Sequence, residues 1–351
     1  MKIIFAGGGT LGSVAPLIAI WQKLKEKDNK IEFLFIGTKN GLEKEFVARY
    51  QIPYRTIITG KWRRYFSFWN FIDIFKFGLS VIQSFNLLRK LKPGFIISAG
   101  SFVAVPLIWA AYFFKTKVIF YQSDFKIGLA NRLCQKQADY IFTTFSETVS
   151  QFPQNKTVCL GTLLREEIKQ VQLISINERH QPTILILGGG TGSAFINQLI
   201  GQSLAELTKI YKIVHITGQR KKNLIGHRSQ VMGNYWPCEI LTDDYYQKMA
   251  EADLVVSRAG VSTLMELSYL GKPVILIPLP NSAQVENAVY LCQRNAAICL
   301  EQKNLTPKKL TKTIEQIIND KRLMSILKDN IYQIFNHDGG EIIAQKIYEL
   351  K

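Results

Sequence analysis

The sequence predicts an α/β protein with two doubly wound parallel sheets, one in each half of the chain. Short apolar segments alternate with helical periodicity along both halves, as they do where helices connect parallel strands. A strand followed by a glycine loop also occurs twice, as Met1–Ala6 with Gly7–Gly12 and as Thr183–Leu187 with Gly188–Gly192. The length of 351 residues suits two domains better than one.

The elements of the first half follow in order from their hydrophobic patterns. A short apolar run is typical of a strand buried on both faces, whereas a longer amphipathic run is typical of a helix. The predicted strands are Met1–Ala6, Ile31–Gly37, Phe95–Ser98, Val118–Tyr121 and Thr157–Leu160. The predicted helices are Val14–Lys27, Gly41–Tyr50, Asn70–Leu91 and Val105–Phe114.

The second half begins after a charged helix predicted over Arg165–Val171 and a polar stretch that ends at Pro182. We place the hinge in this region and expect domains at residues 1–164 and 165–351. Helices over Lys308–Asp320 and Gly340–Leu350 close the chain. The strands predicted between hinge and closing helices are Thr183–Leu187, Tyr211–Thr217, Ile240–Leu241, Leu254–Ser257, Pro273–Pro278 and Ala297–Leu300.

The positive charge is the compositional outlier, since 44 Lys and Arg against 27 Asp and Glu leave a net charge of +17. Such an excess attracts phosphorylated substrates, acidic lipid or nucleic acid, and nucleic acid is disfavoured because no nucleic-acid motif accompanies the charge. Aromatic residues interleave with cations between Gly60 and Phe95, which suits a membrane interface or, alternatively, a helix with an aromatic core face and a solvated cationic face. The cations there are Lys61, Arg63, Arg64, Lys76, Arg89, Lys90 and Lys92.

The cysteine and histidine pattern argues against a metal site and against a disulfide framework. The five cysteines lack metal-ligand spacing, and the four histidines lie far apart in sequence. The longest apolar run, Phe102 to Phe114, is too short to span a bilayer and contains Pro106. The N-terminus enters a strand without a signal-peptide pattern. We therefore expect no bound metal, and a protein that is cytosolic or peripheral to a membrane.

The two glycine loops predict anion binding, because each allows a tight turn from which a helix N-terminus presents free N–H groups. Gly7-x-Gly9-x-x-Gly12 formally fits a dinucleotide fingerprint, but the next strand ends without the acidic residue that would hold a ribose. We therefore expect no nicotinamide or flavin cofactor. The chain also lacks an Asp-x-Asp pair, so helix N-termini and cations are expected to meet the charge of a diphosphate.

The segment after the predicted strand Leu254–Ser257 is the most informative part of the chain. Its helix opens with Gly260, Ser262 and Thr263, which would bring backbone N–H groups and two hydroxyls close to a phosphate. Glu266 lies one turn inside this helix. Its carboxylate could accept hydrogen bonds from both ribose hydroxyls, or it could be an ordinary glutamate stabilised by the helix dipole.

With these motifs in view, the chain resembles the MurG-type N-acetylglucosaminyltransferases over nearly its whole length. The resemblance implies the GT-B fold, in which two Rossmann-like domains face across a cleft. It assigns the acceptor and the membrane to the N-terminal domain and the UDP-sugar to the C-terminal one, and leaves open that the last helix packs back on the N-terminal domain. Beside the two glycine loops, the matching segments are Gly37–Glu43, Gly60–Ser67, Phe102–Pro106, Ser123-Asp124, Gly128–Arg132, Gly161–Arg165, Arg258–Glu266 and Gln284–Ala288.

The resemblance implies an inverting, metal-independent and cofactor-free hexosyltransferase. It would move N-acetylglucosamine from UDP-N-acetylglucosamine to undecaprenyl-diphosphate-linked N-acetylmuramyl-pentapeptide in peptidoglycan synthesis. It would act peripherally at the cytoplasmic face of the cell membrane and bind the anionic membrane surface. Nucleic acid is not an expected partner. Three alternatives stay open: a related enzyme with another lipid-linked acceptor, a nucleotide-sugar epimerase, and a UDP-sugar-binding protein that has lost catalysis.

The resemblance also implies a donor site, position by position. Thr10, Leu11 and Gly12 would form a sugar-facing loop, and Thr242 would contact uracil through its backbone. Gln284 would reach the donor sugar. The residues implied for the diphosphate and the ribose are Arg165, Gly190, Thr191, Val261, Ser262, Thr263, Leu264, Met265 and Glu266.

The candidate catalytic residues are Asp124 and Ser13. Asp124 is the candidate general base, with the alternative that it only positions donor or acceptor. Ser13 stands where the family usually has histidine, and a serine hydroxyl cannot by itself replace imidazole as a base. Two further departures are Tyr121-Gln122 in place of His-Glu and Ser101 in place of glycine, and the loop before Gln284 is shorter. These departures fall mainly on the acceptor side.

Overall fold

The computed structural model of the chain describes residues 1–58, 69–171, 181–218, 233–239, 244–337 and 339–350, with side chains from residue 75 onward in the helix that begins at Trp69. The chain divides into two compact units. Unit 1 comprises Met1–Arg165 and Asn336–Lys351, and unit 2 comprises Glu166–Phe335. Each unit contains one parallel sheet, which confirms the predicted fold class.

Unit 1 is built on a seven-stranded parallel sheet in the order β3-β2-β1-β4-β5-β6-β7. Its central strands are apolar on both faces because helices cover both sides, and Ile3, Ile4 and Phe5 are fully buried. The strands are β1 Lys2–Ala6, β2 Glu32–Gly37, β3 Tyr54–Thr56, β4 Phe95–Ser98, β5 Lys117–Gln122, β6 Tyr140–Thr143 and β7 Thr157–Cys159. The helices before the hinge are α1 Ala15–Lys27, α2 Glu43–Ala48, α3 Trp69–Leu91, α4 Ala104–Ala111 and α5 Leu129–Cys134.

Unit 2 is built on a six-stranded parallel sheet in the order β10-β9-β8-β11-β12-β13. Three of its helices begin at side-chain caps: Ser193, Thr306 and Asp320 each accept a backbone N–H of the first turn. The strands are β8 Thr183–Leu187, β9 Lys212–Ile216, β10 Tyr235–Cys238, β11 Leu254–Ser257, β12 Val274–Leu276 and β13 Ile298–Cys299. The helices are α6 Ala194–Leu207, α7 Tyr245–Glu251, α8 Val261–Tyr269, α9 Gln284–Cys292, α10 Pro307–Asn319 and α11 Lys321–Gln333.

The last helix, α12 (Gly339–Glu349), belongs to unit 1 and packs on α1. Its apolar face, which includes Ile343 and Ile347, is fully buried in the core of unit 1. Lys23 on α1 pairs with Glu341 at 2.9 Å, and this ion pair lowers the pKa of the Glu341 carboxyl. Burial of the apolar face is the main source of stability for this contact, because a half-exposed ion pair contributes little.

Several predictions about elements differ from the structure. The predicted charged helix over Arg165–Val171 is a short 3₁₀ turn, Glu166–Gln170. Residues 240 and 241, where a strand was predicted, lie outside the described residues, and β10 forms slightly earlier in the chain. Cys292 and Cys299 form a disulfide, which the cysteine pattern did not indicate. None of the described helices combines the length and the apolar character that crossing a membrane requires.

Candidate functional site

The strand order of each sheet reverses at one place, between β1 and β4 in unit 1 and between β8 and β11 in unit 2. In doubly wound sheets, ligands bind beyond the carboxyl ends of the strands at this switch point. The two predicted glycine loops follow β1 and β8, so each lies at the switch point of its own unit. The candidate functional residues are therefore those of the loops after β1, β4, β8 and β11, with their neighbours.

The second glycine loop carries the N-terminus of α6 to the carboxyl edge of the sheet in unit 2. Gly192 has a φ of 71°, and a Cβ there would overlap the Thr217 carbonyl oxygen, so only glycine fits. The Ser193 hydroxyl caps α6 by accepting the Ile196 N–H at 3.3 Å. Gly190 and Thr191, two predicted diphosphate residues, lie exposed in this loop. The loop therefore offers backbone donors and a helix N-terminus to an anion.

Arg258 is the functional candidate that the site predictions left out. It follows β11 directly, and its side chain is only 6% exposed. The guanidinium donates from Nη1 to the Ile277 carbonyl and from Nη2 to the Ser193 hydroxyl, each at 2.8 Å. Within the described ranges no carboxylate pairs with it, and burial lowers its pKa. A bound anion would supply the countercharge that a buried cation requires.

The first turn of α8 lies at the same switch point as Arg258. Ser262 and Thr263 are half-buried, so their hydroxyls are accessible. Val261, Leu264 and Met265 have buried side chains, and the Leu264 N–H already donates to the Gly260 carbonyl at 3.0 Å. The N–H groups available to a phosphate are those of the residues before Leu264, because these precede the first full helical hydrogen bond.

Glu266 is held by two tyrosines, a pairing that the sequence analysis did not predict. The Tyr245 hydroxyl donates to Oε2 and the Tyr246 hydroxyl to Oε1, both at 3.0 Å. Glu266 is only 6% exposed, so its carboxylate is held in a fixed orientation largely away from water. The two tyrosines are the first residues of α7, after the N-cap Asp244. Thr242, the predicted uracil contact, lies outside the described residues.

The loop before α9 positions Gln284 and closes on the Arg258 segment. Gln284 Oε1 accepts the Leu279 N–H at 3.0 Å, so its amide fixes the turn that precedes α9. Asn287, fully buried one turn later, donates from Nδ2 to the Ala259 carbonyl at 3.1 Å. The bond from Asn287 thus connects α9 to the loop after β11 within unit 2.

In unit 1, the first glycine loop leaves β1 and enters a 3₁₀ turn before α1. Thr10 and Gly12 are exposed and Leu11 is half-buried, so the predicted sugar-facing residues are accessible within this unit. Gly9 has a φ of 88°, and a Cβ there would lie 2.8 Å from the ring of Phe102 in the loop after β4. This position therefore requires glycine.

Ser13 is buried and is held by its own loop. Its hydroxyl lies 3.1 Å from the Thr10 carbonyl and 3.3 Å from the Gly8 carbonyl. Ser101, from the loop after β4, donates to the same Gly8 carbonyl at 3.0 Å. Two positions at which the chain departs from the family pattern thus share one backbone acceptor.

Asp124 is half-buried in the loop after β5, and a neighbouring amide fixes its backbone. Gln122 Nε2 donates to the carbonyls of Asp124 at 2.7 Å and of Lys126 at 3.0 Å. Gln122 Oε1 accepts from Asn131 Nδ2 at 2.7 Å. An ionised glutamate at this position would have no hydrogens with which to make the two loop contacts.

Tyr121 and Arg165 lie in surroundings that the sequence did not indicate. Tyr121 is fully buried in the core of unit 1, its hydroxyl donates to the Gly161 carbonyl at 2.9 Å, and burial raises its pKa. The Arg165 guanidinium lies 5.2 Å from the ring centroid of Phe46 and 3.5 Å from the Tyr50 hydroxyl. Arg165 therefore contacts the region around α2 within unit 1.

Comparison with known proteins gives family matches in both units. The glycosyltransferase family 28 N-terminal domain matches residues 3–143, and the C-terminal domain of that family matches residues 183–331. The chain is 37% identical over 326 residues to the UDP-N-acetylglucosamine--N-acetylmuramyl-(pentapeptide) pyrophosphoryl-undecaprenol N-acetylglucosamine transferase of Clostridium kluyveri, covering 90% of this chain and 91% of that protein. It is 33% identical over 359 positions to the Borrelia garinii subsp. bavariensis protein of that name, covering 99% and 96%.

Two solved structures share the fold of this chain. Acinetobacter baumannii MurG has a TM-score of 0.75 and 21% sequence identity, with 99% of both chains covered. A UDP-GlcNAc 2-epimerase from Neisseria meningitidis, bound to UDP-GlcNAc, has a TM-score of 0.70 and 15% identity, covering 99% of this chain and 100% of that one. At these identities the likeness shows the fold alone.

Proposed function

The chain belongs to glycosyltransferase family 28, among the UDP-N-acetylglucosamine--N-acetylmuramyl-(pentapeptide) pyrophosphoryl-undecaprenol N-acetylglucosamine transferases, and from this premise we propose its reaction. It transfers N-acetylglucosamine from UDP-N-acetylglucosamine to undecaprenyl-diphosphate-linked N-acetylmuramyl-pentapeptide in peptidoglycan synthesis. The observation that carries this proposal is the buried Arg258 guanidinium between the second glycine loop and α8, in a chain whose relatives bear that transferase name. Unit 2 takes the donor and unit 1 takes the acceptor.

The donor site neutralises the charge of a diphosphate with fixed donors. Backbone N–H groups around Gly190 and Thr191, the first turn of α8 and the Arg258 guanidinium all lie at the carboxyl edge of one sheet. Glu266 is oriented by two tyrosines and accepts the ribose hydroxyls. Because these donors and acceptors are already in place before UDP departs, they stabilise the leaving group without reorganisation.

In the reaction, an acceptor hydroxyl attacks the anomeric carbon of the donor sugar while the bond from that carbon to the diphosphate oxygen breaks. The configuration at the anomeric carbon inverts, UDP leaves with the bonding electron pair, and the hydroxyl proton passes to a base. Asp124 is our candidate for that base, because its carboxylate lies at the carboxyl edge of the sheet in unit 1, in a loop fixed by Gln122. The diphosphate charge is met without a divalent metal.

A surface of α3 and α4 supports peripheral binding to an anionic membrane at the cytoplasmic face. Phe75 and Tyr112 are each 77% exposed and Phe113 is 70% exposed. Leu79 and Ile82 continue the exposed apolar face of α3. We name these five residues the apolar patch, and a patch flanked by cations is typical of a membrane interface. The described cations on and after the two helices are Lys76, Arg89, Lys90, Lys92 and Lys115.

The structure divides the aromatic residues of this region between the two interpretations that the sequence left open. Phe77 is half-buried and packs edge-on against Trp109, so it is a core contact. Phe75, Leu79 and Ile82, the members of the apolar patch on α3, lie on the other side of that helix. Arg63 and Arg64, which belong to the predicted membrane segment, lie outside the described residues.

A transfer assay tests the proposed function. Radiolabelled UDP-N-acetylglucosamine is incubated with undecaprenyl-diphosphate-linked N-acetylmuramyl-pentapeptide, and labelled lipid product is separated by chromatography. We expect label in the lipid fraction and release of one UDP per sugar transferred. Label only on a different lipid-linked acceptor, conversion of the donor to its epimer, or donor binding without turnover would each contradict the proposal and favour the corresponding alternative.

A further inference from the structure

The Gly8 carbonyl accepts hydrogen bonds from two serine hydroxyls that come from different loops of unit 1. Ser101 Oγ lies 3.0 Å from this oxygen and Ser13 Oγ lies 3.3 Å from it. A carbonyl oxygen has two lone pairs, so it can accept from both serines, with the single Ser13 proton shared between the Gly8 and Thr10 carbonyls. Ser13 and Ser101 are 8% and 2% exposed, so water competes little for either hydroxyl. The two loops that meet here flank the switch point of the sheet.

The direction of each hydroxyl proton follows from its other neighbours. Ser101 Oγ accepts the Val103 N–H at 3.2 Å, so its own proton is directed to the Gly8 carbonyl. Ser13 Oγ has two carbonyls within reach, those of Gly8 and Thr10, and a carbonyl cannot donate. Ser13 therefore donates to the backbone of its own loop, which is the opposite of what a general base does.

The remaining contacts leave the loop little other freedom. A Cβ on Gly8 would lie 2.6 Å from Glu43 Oε1, so the Glu43 carboxylate packs directly against this glycine. The Phe102 ring packs equally closely against Gly9. With both glycines enclosed on the side-chain side, the two hydroxyls that contact the Gly8 carbonyl complete the set of contacts that orient this peptide.

We propose that Ser13 and Ser101 act as a coupled pair of positioning residues, which fix the first glycine loop through their shared acceptor, the Gly8 carbonyl. The backbone of Thr10–Gly12 follows this peptide directly and thereby keeps one position relative to the sugar. The position relative to a sugar rests on the proposed function and on the sugar-facing role that the family resemblance implies for this loop. The two hydroxyls orient the first glycine loop, and neither serine accepts the proton of the acceptor hydroxyl.

We call the two serine hydrogen bonds to the Gly8 carbonyl the clamp. Hydrogen–deuterium exchange tests for the clamp in the absence of substrate. Ser13→Ala and Ser101→Ala should each speed exchange of the amides of residues 8–13 by about threefold or more, since each removes one hydrogen bond. The double variant should match the faster single variant within about twofold, because losing either bond frees the shared carbonyl. Ser98→Ala is the matched control, since the buried Ser98 hydroxyl has no hydrogen-bond partner among the described residues.

Transfer kinetics test the positioning role. Each alanine variant should lower kcat about tenfold with KM for the donor within about twofold of wild type, because a misplaced loop weakens the transition state more than donor binding. The pH profile should keep its shape, since no titrating group is removed. Ser13→Thr, which keeps the hydroxyl, should recover most of the activity, and thermal melting shows that each variant is folded.

Three results would overturn the inference. Exchange in Ser101→Ala equal to that in Ser98→Ala would mean that no clamp exists. Faster exchange with unchanged kcat would mean that the clamp does not serve catalysis. Loss of a limb of the pH profile in Ser13→Ala alone would make Ser13 a catalytic group. If wild type transfers no sugar, the proposed function fails, and the exchange data still decide whether the clamp exists.

Discussion

The Arg258 guanidinium donates to the Ser193 hydroxyl at 2.8 Å and so joins the two loops at the switch point of unit 2. Ser101 makes the corresponding link in unit 1, where its hydroxyl donates to the Gly8 carbonyl. In both units, a side chain from the loop after the second central strand holds the glycine loop after the first. The same topology thus places a fixing contact at both candidate sites, with a cation only in unit 2.

Arg258→Gln is expected to weaken UDP binding about tenfold or more, because it removes a buried charge that an anion would neutralise. Arg258→Lys keeps the charge but lacks the forked guanidinium that contacts Ile277 and Ser193 together, so it should lose less UDP affinity than Arg258→Gln. Calorimetric titration with UDP measures both variants. Equal losses in the two variants would mean that Arg258 acts through loop geometry and not through its charge.

Glu266→Ala is expected to weaken UDP binding by roughly 1.5–3 kcal/mol, the cost of losing charge-assisted hydrogen bonds to the ribose. The variant also leaves two tyrosine hydroxyls without their acceptor, so its melting temperature should fall as well. The double variant Tyr245→Phe with Tyr246→Phe removes those bonds but keeps the carboxylate, and it should bind UDP within about threefold of wild type. Unchanged affinity in Glu266→Ala would leave Glu266 with a structural role alone.

A buried chain of hydrogen bonds lies behind the second glycine loop. Asn197 Nδ2 donates to the Thr217 carbonyl at 2.9 Å, so Asn197 Oδ1 is an acceptor and His215 Nε2 is the donor to it, at 3.1 Å. His215 Nδ1 then accepts from the Tyr235 hydroxyl at 3.0 Å. One neutral tautomer of His215 satisfies every partner, and burial lowers its pKa to about 3.

Acid is therefore expected to destabilise unit 2 through His215. His215 binds a proton near pH 6.5 in the unfolded chain but only near pH 3 in the native state. The contribution of neutral His215 to the free energy of unfolding is therefore complete above pH 6.5 and is lost as the pH falls towards 3. The limiting slope is about 1.4 kcal/mol per pH unit. Urea unfolding of His215→Gln should show weaker pH dependence between pH 6.5 and 4.5, whereas His337→Gln, the control, should keep it. An unchanged slope in His215→Gln would contradict the prediction.

Serine substitutions in the apolar patch are expected to release the protein from anionic vesicles. Changing Phe75, Tyr112 and Phe113 removes three of the most exposed aromatic side chains, while Ile210→Ser and Ile326→Ser alter exposed apolar residues of unit 2 as a control.

Replacing Arg63, Arg64, Arg89 and Lys90 with serine should also release the protein from anionic vesicles and weaken the salt dependence of binding, since each cation near the surface contributes about 1 kcal/mol. UDP affinity should not change. If the aromatic variants and the cation variants both sediment with vesicles as wild type does, this surface is a solvated helix face and does not bind the membrane.

UDP-N-acetylglucosamine is expected to bind with the same affinity, within about twofold, in excess chelator. The reason is that helix N-termini and the Arg258 guanidinium supply the positive charge, and no Asp-x-Asp pair occurs in the chain. Calorimetry with and without chelator measures the difference. Binding that is lost under chelation and restored by magnesium would contradict a metal-independent donor site.

The fold could be predicted from the sequence because its signals are local. An apolar run buried on both faces, followed by a glycine loop and an amphipathic helix, specifies one strand–loop–helix unit wherever it occurs. The two copies therefore revealed both sheets and both switch-point loops. Two strands of unit 1 escaped detection: β3 and β6 are only three and four residues long, and such short strands carry too few residues for a recognisable pattern.

The candidate site was predictable only in part. Gly190, Thr191 and the first turn of α8 lie in the predicted glycine loop and at the predicted helix N-terminus. Arg258 begins a segment that matches the family, and the sequence predicted no role for it, although a cation directly after a buried strand and before a helix N-terminus was the available signal. The local sequence did not indicate the tyrosine partners of Glu266, the Asn131 partner of Gln122 or the contact of Ser101 with Gly8, because these partners come from other elements.

The sequence by itself determined the two parallel sheets, the places of the glycine loops and the family, because strand, turn and helix preferences act between neighbours in the chain. Only the tertiary structure decided that Ser13 and Ser101 share the Gly8 carbonyl, that Tyr121 is buried while Gln122 fixes the Asp124 loop, and that the Cys292–Cys299 disulfide forms. Which acceptor a hydroxyl bonds, and whether a buried charge has a partner, depend on atoms from distant segments of the chain. Tertiary packing brings these atoms together, and the spacing of residues in the sequence does not indicate which ones will meet.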